Sequence, residues 1–347
     1  MKKLVLATAV AALSITAAQA APTVYGKAFL TVDYKDGDFD YTDRAGVEKT
    51  IDDSRAKLNS NASRIGFKGA EALTANTDLV YQLEYGVKVD ENTQDEQFKA
   101  RDTYIGLANK QYGTLLAGRL SSIDGNVDFA NVTQGAVLGG DNVLASEDSP
   151  RANNAAAYIS PSYNGLSFQG MYVMDENGAD SLNGDAFGAA VLYTPEGQPF
   201  RGGVAYISAS NGASNEKLSW LRVSGAYDVT PAFTLGALYQ NTDYSGDDNE
   251  NAYTVSGKYK TATPWAVYGQ VDYVDNAGGV KGNEKQRYVV GGQYAFNKAT
   301  TGHVYGAYLD QDVEAGTWAA HNDETKVFAK TGNYQGFGVG AGIEYKF

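Results

Sequence analysis

The sequence predicts an all-β fold, a 16-stranded antiparallel transmembrane β-barrel. Three observations predict it. Segments of about ten residues alternate between apolar and polar side chains, as a strand with one lipid face and one water face requires. The connections between these segments are alternately short and long. The final segment is the clearest case. Phe337, Val339, Ala341, Ile343, Tyr345 and Phe347 fall on one face, and Gly338, Gly340, Gly342, Glu344 and Lys346 on the other.

The first segment covers 24–34, with Val24, Ala28, Leu30, Val32 and Tyr34 on one face. Leu79, Tyr81, Leu83, Tyr85 and Val87 line another, and Leu166, Phe168, Gly170, Tyr172 and Met174 a third. The pattern continues through Leu221 to Tyr227, Phe233 to Tyr239, Tyr253 to Tyr259, Trp265 to Tyr273 and Tyr288 to Phe296. Seven short connections carry turn residues, at 71–77, 108–113, 161–165, 195–199, 228–232, 261–264 and 297–301. Eight long ones are polar and acidic, at 35–62, 89–99, 121–150, 175–185, 209–217, 241–251, 276–285 and 310–335. Fifteen connections join sixteen strands. Short turns at one rim and long loops at the other are the plan of bacterial outer-membrane barrels. A soluble sandwich or propeller is the competing architecture, and it requires neither feature.

Composition agrees. The 25 Tyr and 13 Phe favour strands and interfacial girdles. A mean hydropathy of -0.36 fits, because only alternate residues of a barrel strand face lipid. The absence of Cys excludes a disulfide framework and a Cys-ligated metal. A net charge of -13 and the lack of a basic stripe exclude a nucleic-acid partner.

Residues 1–20 read as a cleaved signal peptide. Lys2 and Lys3 precede an apolar run, and Ala18-Gln19-Ala20 is a small-x-small cleavage site. The run is too short to span a bilayer. Residues 21–347 then form one exported barrel domain, which crosses the periplasm to the outer membrane.

Several pieces resemble the general diffusion porins of Gram-negative bacteria. They are Val24-Tyr25-Gly26-Lys27, Ser63-Arg64-Ile65-Gly66-Phe67-Lys68-Gly69, and Arg101-Asp102-Thr103-Tyr104-Ile105-Gly106-Leu107. Tyr112-Gly113-Thr114-Leu115-Leu116-Ala117-Gly118-Arg119, Gly165-Leu166-Ser167-Phe168 and the closing Tyr345-Lys346-Phe347 complete them. The resemblance implies a homotrimeric, water-filled channel for passive diffusion of ions and small hydrophilic solutes, with no cofactor and no enzymatic chemistry. It implies that Tyr345 and Phe347 form the signal read by the barrel-assembly machinery. Outer-membrane lipid and lipopolysaccharide are the other expected partners. It also implies an inward-folded third long loop, here 121–150, which lacks the Pro-Glu-Phe-Gly-Gly pattern of enterobacterial members. The alternatives are a substrate-selective channel, or an adhesin or phage-receptor role for the long outer loops.

In such channels a basic wall faces acids from the inward loop. By position the basic row is Lys27, Arg64, Arg101, Arg119 and Arg151. A charge facing lipid at mid-membrane costs about 2–4 kcal/mol, which alone turns these side chains inward. Arg119 is assigned inward on the assumption that Leu116 faces lipid. The acidic partners come from Asp124, Asp128, Asp141, Glu147 and Asp148. Asp124 and Asp128 rank first, because a spacing of four could put both on one side of a short helical turn.

Other chemistry finds little support. The histidines are His303 and His321, and no serine has a recognisable nucleophile setting beside either. Asp243, Asp247, Asp248 and Glu250 crowd one loop, but their spacing does not match a calcium-binding hand. The glycine run at 336–342 lacks the helix that a phosphate-binding loop requires.

Overall fold

The protein is described here from a computed structural model, which covers residues 22–91, 98–135, 138, 140, 142–174, 185–210, 217–246, 248–313, 317–319, 325–327 and 332–347. Residues 1–20, Asp141, Asp247 and His321 lie outside the described residues.

The first wall strand is β1 (Thr23–Thr42). Its neighbour is built from three successive pieces, β2 (Glu48–Asp52), β3 (Arg55–Ser60) and β4 (Arg64–Ala72). Then come β5 (Thr77–Val87), β6 (Phe98–Asn109), β7 (Gly113–Ser121), β8 (Arg151–Ile159) and β9 (Leu166–Val173). They are followed by β10 (Ala186–Tyr193), β11 (Phe200–Ser210), β12 (Lys217–Asp228), β13 (Phe233–Asp243) and β14 (Glu250–Lys260). β15 (Trp265–Asp275), β16 (Lys285–Ala295), β17 (Thr300–Val313) and β20 (Gly332–Lys346) complete the wall. A small hairpin, β18 (Thr317–Ala319) and β19 (Thr325–Val327), lies in the last long connection.

Each wall strand pairs antiparallel with the next, and β20 returns to β1 from Lys27↔Lys346 to Asp40↔Asn333. The result is a closed barrel of sixteen strands, with the β2–β4 pieces counting as one. Closure pairs every strand edge, which lipid demands because it offers no hydrogen-bond partner to free backbone groups.

The two faces separate as the alternation predicts. Val32, Tyr34, Phe337, Val339, Tyr308 and Val290 are exposed on the outside. Phe29, Thr31, Gln270 and Arg287 are buried on the inside.

Two local expectations are corrected. The stretch 35–62 is not a loop. β1 runs on to Thr42 and pairs with β2 as a hairpin, from Asp38↔Asp52 to Thr42↔Glu48. Its tip is set by Asp43, whose carboxylate accepts the amides of Ala45 and Val47. Phe39 and Tyr41 are buried in this extension. Asp36, Asp38 and Asp40 alternate with them, so the strand reads as polar where it has left the membrane. Leu116 is also not lipid-facing. It is buried on the inner side with Val80 and Leu120, while Leu115 is exposed outside. The assumption on which Arg119 was assigned inward therefore fails.

Three apolar clusters form on the inner side, and each includes residues of the 122–150 segment. Ile123 and Val127 join Ile207, Ala205 and Trp220. Ala130, Val143 and Ala145 join Leu238, Ala252 and Val274. Leu138 joins Tyr268, Val289 and Tyr305.

Candidate functional site

The inner wall divides into two sectors. From β9 to β17 it is covered by the 122–150 segment. From β20 through β1 to β8 it carries a ribbon of ion pairs.

The covering segment begins with a short 3-10 helix, Ile123–Val127. Polar side chains of the wall then fix it point by point. Gln169 accepts from the Asn126 side-chain amide at 2.7 Å. The Ser224 hydroxyl accepts from the Phe129 amide at 3.0 Å, and Gln270 from the Val132 amide at 2.9 Å. Ser256 donates to the Ala130 carbonyl. Glu250 accepts from the Ser146 amide at 2.9 Å and, through its other oxygen, from Gly278 at 2.7 Å.

Two fully buried arginines do most of the fastening. Arg222 donates to Asp148 at 2.8 Å and to the Glu147 carbonyl at 3.3 Å, and its guanidinium lies 3.6 Å from Asp124. Arg287 pairs with Asp272 at 2.8 Å and donates to the carbonyls of Gly140 and Asn142. The fork of five guanidinium donors suits this work, because it satisfies several carbonyls and a carboxylate at once.

The predicted acids therefore part company. Asp124 is wholly buried against the wall, where one oxygen also accepts from the Ser149 amide at 3.0 Å. Asp128 is the residue that ends the helix, and it accepts from the amides of Ala130 and Asn131. The spacing of four does not put them on one side, because the helix has three residues per turn and stops at Val127. Asp148 is held by Arg222. Burial raises the Glu147 carboxyl above the ordinary range, helped by the charges of Glu250 and Asp124. Burial also raises Asp148, against the opposing pull of Arg222.

The basic row lies on the other sector, and it is partnered along the wall. Lys27 is 3.7 Å from Glu344. Its cross-strand neighbour is Arg64, which shares Glu84 with Arg101 at 3.4 and 2.7 Å. Tyr25 also donates to Glu84, at 3.0 Å. Arg151 pairs with Asp102 at 2.8 Å, and the Ser121 hydroxyl donates to the same oxygen. Arg119 bonds only neutral acceptors among the described residues, the Ala100 carbonyl at 3.1 Å and the Asn153 side-chain oxygen.

Arg119 stands opposite a bulge. The β7–β8 register shifts between Gly118 and Leu120, and Gly118 has φ of +147°. The extra residue is on β8, where Asn153 and Asn154 stand opposite Arg119 alone, so the parity of β7 is unchanged. Arg119 keeps step with the exposed Leu115 and pairs across β6 with Thr103, so alternation puts it on the face of Leu115 and Ile105. Arg101, Arg119 and Arg151 line one cavity of about 330 Å³ with Lys88, Lys99 and Ser63.

Sequence reasoning missed Glu84, Asp102 and Glu344, which temper the basic row, and Arg222 and Arg287, which hold the opposite segment. Strand parity was the available signal for both arginines. Arg222 alternates with Leu221 and Val223, and Arg287 with Tyr288 and Val290.

At the other end of the chain, Phe347 exchanges backbone hydrogen bonds with Gly26 at 3.0 and 3.2 Å. Its ring occupies the space where a Cβ on residue 26 would stand. Tyr345 stacks on it at 6.1 Å between centroids. His303 is buried against Phe29 at 4.7 Å, with neither ring nitrogen bonded among the described residues.

Comparison with known proteins decides the family. The Gram-negative porin model matches residues 6–316. The chain belongs to the Gram-negative porin family. It is 28% identical to the major outer membrane protein P.IB of Neisseria meningitidis serogroup B (strain H44/76), over all of both chains. It is 30% identical to an outer membrane porin protein of Bordetella pertussis, covering 69% of this chain and 66% of the relative. In fold it is similar to an anion-selective porin from Comamonas acidovorans, with a TM-score of 0.70 and 21% identity over 94% of this chain and 99% of the other. The trimer form of Vibrio cholerae OmpT is another similar structure, with a TM-score of 0.65 and 17% identity over 94% and 99%. This porin is thus an outer-membrane β-barrel channel for passive diffusion.

Proposed function

We propose that ions and small hydrophilic solutes pass between the ribbon of ion pairs on β20 to β8 and the segment 122–150 on the opposite sector, and that this gap is the constriction. The observation that carries the reading is the division of the inner wall. One sector is covered by a segment fastened to Arg222 and Arg287, and the other presents Lys27, Arg64, Arg101, Arg119 and Arg151. Asp128 and Glu147 are the acids left to face them, while Asp124 serves as an anchor. Rings and rows of charge at a narrow point set ion preference. Lys27, Arg64, Arg101 and Arg151 outnumber the three acids that pair with them, Glu344, Glu84 and Asp102, so the ribbon favours anions despite the acidic chain. The similar porin from Comamonas acidovorans is itself anion-selective, which agrees in sign.

No group in this arrangement is asked to make or break a bond, and the channel performs no enzymatic chemistry. The working unit is a homotrimer, a reading supported by the trimer form of the similar Vibrio cholerae OmpT. Residues 1–20 are an export leader, removed before residues 21–347 fold. Tyr345 and Phe347 are read by the barrel-assembly machinery, and outer-membrane lipid and lipopolysaccharide surround the wall.

Bilayer recording under a potassium chloride gradient tests the reading. An anionic reversal potential is expected, with conductance in triplet steps. Neutralising Arg64, Arg101 and Arg119 together should move the potential toward cations. An unchanged potential would remove the basic ribbon from the ion path.

A further inference from the structure

One cross-strand row on the inner wall alternates rings with glycines. It runs through Tyr268 on β15, Gly291 on β16, Tyr305 on β17, Gly340 on β20 and Asp33 on β1, each directly opposite the next. Val267, Val290, Val304 and Val339 beside them are exposed on the outside, so the row itself faces inward. Both tyrosines lie along the row instead of standing up from it. The Tyr268 ring occupies the space that a Cβ on Gly291 would need, and the Tyr305 ring the space that a Cβ on Gly340 would need. The Tyr305 hydroxyl reaches past Gly340 and donates to Asp33. The other oxygen of Asp33 accepts from Thr31 at 2.6 Å and from the Asn59 side chain.

The tip of the 122–150 segment rests on these rings. Gly135 approaches Tyr305 so closely that a Cβ on residue 135 would overlap the ring. Leu138 shares a buried cluster with Tyr268, Tyr305 and Val289. Tyr305 is thus enclosed between a glycine of the wall and a glycine of the segment, and it is buried. Polar ties flank this point. Gln270 holds the Val132 amide before it, and Arg287 holds the carbonyls of Gly140 and Asn142 after it. Between those ties the two rings stand between segment and wall. A ring laid down in this way keeps the two surfaces apart by its own thickness, about 3.5 Å at van der Waals contact. The glycines beneath are what allow it to lie down, since a Cβ there would lift it into the lumen.

We propose that Tyr268 and Tyr305, seated on Gly291 and Gly340, form a shelf that sets how far the tip of the segment stands off the wall, and so sets the size of solute the gap admits. The shelf deepens the channel reading above and rests on it. Arg222 and Arg287 hold the segment to the wall, and the shelf decides the distance at which it is held. The tyrosines carry no charge, so selection by size and preference by charge belong to different residues.

The test is ion current through the refolded porin in a planar bilayer, with neutral polyethylene glycols of increasing length. Polymers small enough to enter lower the current and longer ones do not, so the crossover length measures the gap. Tyr305→Ala should raise the conductance by roughly a third and move the crossover to longer polymers, because about one ring thickness is withdrawn from beneath the tip. Tyr305→Phe keeps the ring and should restore the parent's crossover. Gly340→Ala should act in the opposite sense, with lower conductance and a crossover at shorter polymers. Gly291→Ala lifts Tyr268 instead and should do the same, which supplies the reading if Gly340→Ala does not fold. Tyr288→Ala, exposed on the outside of β16, should match the parent and serves as the control. A shift of the same sign in Tyr305→Ala and in a glycine variant would make the rings fastenings only and would overturn the shelf. A crossover in Tyr305→Ala equal to that in Tyr305→Phe would overturn it too. If no polymer lowers the current of the parent, the channel reading itself fails. If polymers size the parent and the variants do not differ from it, only the shelf fails.

Discussion

Arg222 on β12 holds Asp148 at 2.8 Å, across 74 positions of sequence, and neither atom of that pair belongs to the basic row. The bond fixes the end of the 122–150 segment at the point where it returns to the wall. The same guanidinium faces Asp124 near the segment's start. One buried side chain thus fastens both ends of the segment.

Arg222→Met should therefore loosen the segment while leaving the barrel closed. Removing one partner of a buried pair costs about 3–5 kcal/mol, because Asp124 is left buried without its counter-charge. The expected outcome is a lower thermal midpoint in detergent and larger fluctuations of open-channel current. A quiet channel with the parent's midpoint would show that the segment is held by its apolar contacts alone.

Glu147 and Asp148 give a pH dependence with a definite sign. Burial raises both carboxyls in the folded protein. The folded state then takes up protons before the unfolded state does, so their contribution to stability grows as pH falls through the raised values. It is complete below the unfolded values, about 4.3 for Glu and about 3.9 for Asp. Glu147→Gln should flatten this part of the profile, as read by thermal unfolding between neutral and acidic pH. An unchanged slope would mean that Glu147 stays hydrated.

Glu84 sits between Arg64 and Arg101, so its loss should be felt as charge rather than as shape. Glu84→Gln should increase the preference for anions. A unit charge at 4–8 Å in water is worth about 0.5–1 kcal/mol, or a roughly two- to sixfold change in permeability ratio. Reversal potentials of the variant and the parent measure it. An unchanged reversal potential would place Glu84 away from the ion path.

Phe347 separates assembly from stability. Its ring lies over Gly26 at the seam between β20 and β1, and it is half exposed to the outside. Phe347→Ala should cost the folded barrel only about 0.2–1 kcal/mol, the scale of a cross-strand aromatic pair. The yield of folded protein in the outer membrane should fall far more. Equal yields, with an unfolding midpoint lowered by the same substitution, would make the residue a seam contact and nothing else.

The sixteen strands were legible because lipid imposes alternation on every crossing. Tyr253, Val255 and Tyr259 had no other way to be arranged. The hairpin of β1 and β2 was not legible, because above the membrane Asp36, Asp38 and Asp40 can face water from an ordinary strand. The basic residues were visible by position, but their acids were not. Glu84 lies far in sequence from Arg64 and Arg101, Asp102 from Arg151, and Glu344 from Lys27 although it also meets the neighbouring Lys346, and only cross-strand register makes these distant pairs. Arg119 is the instructive case. It stands opposite a bulge in β8 and lines one cavity with Arg101 and Arg151, a neighbourhood that no periodicity reports.

The sequence by itself determined the closed barrel and its membrane-facing surface, since these follow from period-two alternation and from the need to pair every edge in lipid. Tertiary structure alone decided which charges work together. Arg222 and Arg287 became anchors, Asp124 was buried, and Arg119 was brought beside Arg101 and Arg151. Ion pairs act over a few ångströms in space, and distance along a chain folded into sixteen strands says nothing about that separation until the register is set.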